Sequence, residues 1–122
     1  MSALTKFRSV LAVKDLATSV AFYREMLGLS LDFEAPGWAF LSRGALQLML
    51  GECQDAMRAE DTGDHSYFAY VTVEGIDALY REVVAKNVPR VQELSDKPWG
   101  MREFGVKSPD GHRIMFGEKI AQ

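Results

Sequence analysis

Two stretches of this 122-residue chain, sixty residues apart, say nearly the same thing. Val13-Lys14-Asp15-Leu16 runs into Tyr23-Arg24-Glu25, and Val73-Glu74-Gly75-Ile76 runs into Tyr80-Arg81-Glu82. Two copies are too few for a solenoid, which needs about three stacked units to bury a core. What remains is a duplicated half-domain, and a duplicated scaffold is expected to frame its site between the copies.

Each copy opens on a strand and passes into a helix. Arg8 to Lys14 carries Val10, Leu11 and Val13, the last two at alternate positions, as a strand leaning on a core does. Asp15 then offers an N-cap carboxylate, and Leu16, Val20, Tyr23 and Leu27 follow at helical spacing until Gly28. Leu29 to Glu34, Trp38 to Ser42 and Ala45 to Leu50 read as strands, with turns at Pro36-Gly37 and Arg43-Gly44. The polar segment Gln54 to Asp64 serves best as a link. The order then repeats. Tyr67 to Val73 is a strand, and Ile76, Leu79, Tyr80, Val83 and Val84 form one helical stripe ending near Asn87. Strands at Val91 to Leu94, Arg102 to Lys107 and Arg113 to Gly117 complete the second half, the last two joined by the turn Ser108-Pro109-Asp110-Gly111. The expected fold is α+β: two βαβββ modules in a curved, cup-shaped mixed sheet, helices on the outer face and an open inner face. One domain, 1–122, is expected, with module 1 at about 5–53, the link at 54–64 and module 2 at about 65–119. The Tyr-Arg-Glu triplets then belong to helix surface and core, not to a site.

Composition narrows the partners. No apolar run approaches the roughly 18 residues of a membrane span, and the N-terminus lacks a secretory pattern. A cytoplasmic protein is expected, with the single Cys53 in keeping with a reducing compartment. The net charge of -3, with Lys and Arg scattered, argues against nucleic acid and permits a cationic ligand.

Val13, Asp15, Leu16, Ser19, Phe22-Tyr23 and Leu27-Gly28, with Trp99-Gly100 and Ser108-Pro109-Asp110-Gly111-His112-Arg113-Ile114, resemble the vicinal oxygen chelate superfamily over nearly the whole chain, Phe7 to Glu118. That superfamily holds glyoxalases, extradiol dioxygenases, epimerases and the fosfomycin- and bleomycin-resistance proteins. In its metal-dependent members each module gives two inward His or carboxylate ligands, one from its first strand and one from its last. Those positions fall here on Arg8, Gln47, Phe68 and Met115. A guanidinium, a neutral amide, a phenyl ring and a thioether do not make a site for a hard divalent ion. No metal or other cofactor and no catalytic residue is therefore expected. His65 and His112 lie three residues before Phe68 and Met115, an odd offset that places both off the inner face, with His112 exposed.

With Arg8, Gln47, Phe68 and Met115 inward, period-two alternation adds Val10, Met49 and Tyr70. Trp38 and Phe40 alternate together on a neighbouring strand, and Trp99 sits in a Gly-flanked loop suited to closing over the mouth. Rings and thioethers suit a flat, partly apolar compound, which Arg8 and Gln47 would orient through a carboxylate, phosphate or carbonyl. The same residues also suit plain core packing. Gly37 to Gly44 and Trp99-Gly100 resemble the bleomycin-resistance group, which implies a homodimer with shared crevices. Three functions stay open: metal-free sequestration of a small aromatic compound, a metal-dependent enzyme in another register, and a non-catalytic accessory domain.

Overall fold

The computed structural model describes residues 2–59, 61 and 67–121. It contains all eight expected strands and both expected helices. The chain divides into two compact units, residues 1–56 and 57–122, and the division falls inside the expected link.

In the first unit, β1 (Ser9–Val13) leads to α1 (Leu16–Ala21), then β2 (Ser30–Ala35), β3 (Trp38–Arg43) and β4 (Leu46–Glu52). The sheet order is β1-β4-β3-β2, with β1 parallel to β4 and the other pairs antiparallel. The second unit repeats it: β5 (Tyr67–Thr72), α2 (Ile76–Ala85), β6 (Arg90–Asp96), β7 (Met101–Lys107) and β8 (Arg113–Lys119), in the order β5-β8-β7-β6 with β5 parallel to β8. Each helix packs on the two central strands of its own sheet. Alternation then decides what is buried. Leu11, Val13, Ala39, Leu41, Leu48 and Leu50 face α1, and Phe104, Val106, Ile114 and Phe116 face α2; all are buried. Removing such side chains from water supplies the main driving force, about 1.5–3 kcal/mol for each large aliphatic.

The helix termini show why the sequence stops where it does. The Asp15 carboxylate accepts from the Thr18 hydroxyl at 2.9 Å and caps α1. At the far end of α2, Asn87 adopts φ 55°, its N–H and that of Val88 return to the carbonyls of Val84 and Val83, and Val88 is buried. That is a Schellman ending, with Asn in the left-handed position.

One expectation fails in each helix. The spacing predicts one regular helix through Leu27, but after Ala21 the chain widens into a π-helical turn, Phe22–Met26, closed by the Leu29 N–H on the Tyr23 carbonyl at 2.9 Å. The wider turn buries two adjacent rings, Phe22 and Tyr23, stacked edge to face at 5.1 Å, which a 3.6-residue period does not anticipate. In α2 the predicted stripe ends early: Val83 is buried but Val84 is exposed.

Candidate functional site

The faces turned away from the helices carry the candidate residues, and strand register arranges them in rows. In the first unit Val10, Met49, Phe40 and Phe33 are successive partners across β1, β4, β3 and β2. Phe40 meets Phe33 edge to face at 5.7 Å, and the Arg8 guanidinium lies 5.2 Å from the Phe40 centroid. The cation covers the ring face where its quadrupole is negative. The next row pairs Trp38 with Gly51, and the indole lies so close that a Cβ on Gly51 would meet it at 2.9 Å. Val10 and Phe33 remain about 60% exposed and Trp38 41%. Gln47 has a buried Oε1 with no hydrogen-bond partner among the described residues. An acceptor left in that state forgoes about 1–3 kcal/mol until a donor reaches it.

The second unit repeats the geometry with different chemistry. Tyr70, Met115, Gly105 and Gln92 are row partners across β5, β8, β7 and β6. The next row pairs Gly117 with Glu103, and Tyr70 lies over Gly117 as Trp38 lies over Gly51: a Cβ there would stand 1.9 Å from the Tyr70 hydroxyl oxygen. That glycine lets the hydroxyl donate to Glu103 Oε2 at 2.7 Å. Trp99, in the β6–β7 connection, donates its indole N–H to the same oxygen at 3.1 Å. Glu103 itself is buried, while Tyr70 and Trp99 stay exposed. Burial, then the hydrogen bond and charge of Glu103, push the Tyr70 phenol up to about 12.

The two registers correct three expectations. Gly51-Glu52 and Gly117-Glu118 occupy matching places, so Met115 corresponds to Met49 and Gln47 to Arg113; Gln47 and Met115, expected as equivalents, are one row apart. Phe68 does not join the row of Tyr70. The register of β5 shifts between Tyr67 and Ala69, so Tyr67 pairs with Arg113, its ring 5.1 Å from that guanidinium. Phe68 instead meets the His112 ring edge to face at 5.9 Å. His112 is half-buried, not exposed, because it precedes β8 and the strand alternation does not reach it; burial holds its imidazole below the ordinary value. His65 lies outside the described residues.

In either register the donor set does not fit a divalent ion. Arg8, Gln47, Phe68 and Met115, or Met49, Tyr67 and Arg113 in their place, supply no imidazole and no carboxylate. Among the described residues no group of three or more His, Cys, Asp or Glu side chains could hold a metal ion.

Several residues that shape the site escaped the sequence reading. Phe33 and Glu103 follow from alternation along β2 and β7, but a glutamate in an alternating strand reads as solvent-facing. Glu52 and Glu118 form a second echo: Glu52 accepts from the Leu16 N–H at 2.9 Å, and Glu118 from Gly75 and Ile76 at 3.0 Å each. The repeated Gly-Glu dipeptide, sixty-six residues apart, was the available signal. A groove of about 520 Å³ also lies on the helix side of the first unit, lined by Asp15, Leu16, Arg24, Glu34 and Glu52 among others, away from the aromatic rows.

Comparison with known proteins agrees with this architecture. The model of the Glyoxalase/Bleomycin resistance protein/Dioxygenase superfamily matches residues 6–116. The chain belongs to that superfamily. A bleomycin resistance protein of Geobacillus stearothermophilus is 32% identical over 123 aligned positions, covering 90% of this chain and 93% of the relative. A glyoxalase/bleomycin resistance protein/dioxygenase structure from Alicyclobacillus acidocaldarius superposes with a TM-score of 0.82 at 19% identity, covering 96% of this chain and 92% of that one. One from Nocardioides gives 0.74 at 26%, covering 98% and 86%. Superfamily membership accounts for the paired βαβββ modules.

Proposed function

We propose that this superfamily member is a cytoplasmic small-molecule-binding protein of the bleomycin-resistance type, which sequesters an aromatic or partly apolar compound without a metal. The observation that carries the reading is the aromatic character of the sheet faces left uncovered by helices: Trp38, Phe40 and Phe33 in one unit, Tyr70 and Trp99 in the other. Large aromatic side chains left exposed or half-buried on an uncovered sheet face, or on the loop beside it, are the surface a flat ligand stacks on. The likeness to bleomycin resistance proteins along 90% of the chain supports the same reading. In the first unit Arg8, Trp38, Phe40, Gln47 and Met49 would form one ligand-binding face, with Gln47 offering its unsatisfied acceptor, and in the second Tyr70, Trp99 and Met115 would form another, each completed in a homodimer.

The test is a titration of chelator-treated protein with bleomycin and simple aromatic compounds, followed by the fluorescence of the two tryptophans. Saturable quenching that falls in Trp38→Phe is expected, and light scattering should give twice the chain mass. Absence of quenching by every aromatic compound would count against sequestration. Stoichiometric metal surviving dialysis would point to a metal-dependent enzyme instead.

A further inference from the structure

Glu103 is only 5% exposed, and both hydrogen bonds it accepts among the described residues, from the Tyr70 hydroxyl and the Trp99 indole, come from neutral donors. Both reach Oε2, and no described residue donates to Oε1. A carboxylate removed from water ordinarily keeps a cation beside it, because neutral donors return only part of the lost hydration. The nearest basic residue in sequence, Arg102, is committed elsewhere, to Asp96 at 2.6 Å and Asp77 at 3.2 Å. Glu103 is thus a buried acidic side chain with no basic partner among the described residues.

The two donors are arranged in an unusual way. Their polar atoms are tied to the carboxylate, while the rings themselves stay in solvent, Tyr70 at 49% and Trp99 at 66% exposure. Exposed aromatic faces beside an uncompensated carboxylate are the surroundings a positive charge prefers, through cation–π attraction and a charge-assisted hydrogen bond. The backbone is shaped for it, since only glycine at 117 leaves room for the Tyr70 hydroxyl to reach Glu103.

We propose that Glu103, Tyr70 and Trp99 form a recognition site for a protonated amine carried by the ligand. The proposal rests on the reading that this face binds a small molecule, and it names the charge of that molecule. The ammonium N–H donates to Glu103 Oε1, and its positive charge lies against the Tyr70 and Trp99 rings. Arg8, in the other unit, is engaged on the Phe40 ring.

The test is calorimetric titration of the full chain with three probes of equal ring size: naphthylmethylammonium, naphthylmethanol and naphthoate. The ammonium is expected to bind at least about tenfold tighter than the alcohol, the usual worth of a hydrogen bond to a charged acceptor. Glu103→Gln should bring that ratio near one, and Tyr70→Phe, which keeps the carboxylate, should preserve most of it. Should the Gln variant fail to fold, the wild-type chain decides alone: raising the pH until the amine probe is neutral should weaken it and leave the alcohol unchanged. Tightest binding by naphthoate or naphthylmethanol, or an amine preference that survives Glu103→Gln or loss of the probe's proton, overturns the proposal while leaving sequestration intact. Failure of all three probes to bind overturns both.

Discussion

Replacing Gly117 with Ala tests the second-unit site at the atom where its geometry is most exacting. The new Cβ would stand 1.9 Å from the Tyr70 hydroxyl oxygen and 2.6 Å from its Cζ. Ordinary contact is reached at about 3.5 Å, so the phenol must retreat by roughly 1.5 Å. Its 2.7 Å hydrogen bond to Glu103 cannot survive that retreat. A bond to a charged acceptor contributes about 1.5–3 kcal/mol, and because Tyr70 is half exposed the lower end applies. For a chain of this size, about 1.5 kcal/mol corresponds to a fall of roughly 4–8 °C in melting temperature, read by calorimetry. A second readout isolates the cause. Burial and Glu103 hold the Tyr70 phenol up at about 12, against an ordinary 10.0, so its neutral form adds stability below pH 10 that is lost as pH rises through 12. In Gly117→Ala, ultraviolet titration should show this tyrosine ionising below about 12, closer to its ordinary value. In a Tyr70→Ala background the same substitution meets no ring and should be nearly neutral. An unchanged melting temperature together with an unchanged tyrosine titration would refute the reasoning.

Other outcomes follow from the same geometry. Gly51→Ala pushes its Cβ to within 2.9 Å of the Trp38 ring, so the indole must move and tryptophan emission should shift; an unaltered spectrum contradicts the packing. Leu48→Ala empties a fully buried site under α1 and should cost about 2–5 kcal/mol in urea denaturation, whereas a loss under about 1 kcal/mol would show that the site collapses. Glu118 accepts from the Ile76 and Gly75 N–H groups, which hold its carboxyl below the ordinary 4.5. The stability it gives is present above pH 4.5 and lost as pH falls through the depressed value, so Glu118→Gln should flatten the acid limb of a stability profile followed by circular dichroism.

The scaffold was legible because its signals are local and redundant. Asp15 announces a cap, Asn87 a left-handed ending, and the alternation in Trp38 to Ser42 a strand with one buried face. The second half of the first helix was not legible: the π-helical turn at Phe22–Met26 breaks the 3.6-residue period on which the reading rested. For the site, alternation placed Val10, Met49, Tyr70 and Met115 on inward faces, and only the strand register makes Val10 the partner of Met49 and Tyr70 that of Met115. It misplaced Phe68, since one extra residue in β5 changes the row and nothing in Tyr67-Phe68-Ala69 marks the shift. Trp99 could be expected near the site, but its contact with Glu103 depends on the course of a loop that no periodicity describes. Glu103 was missed because a buried acidic side chain is stabilised by partners distant in sequence, and those become visible only when the sheet is assembled.

The aromatic rows are proposed to bind a small molecule without a metal. The most direct measurement is an NMR titration of chelator-treated protein with bleomycin or an aromatic amine, observing the methyl groups of Val10, Met49 and Met115 and both indole N–H signals. Saturable shifts at these groups are expected in the absence of any divalent ion. Shifts confined to the groove beside α1, or binding that appears only when a divalent metal is added, would contradict it.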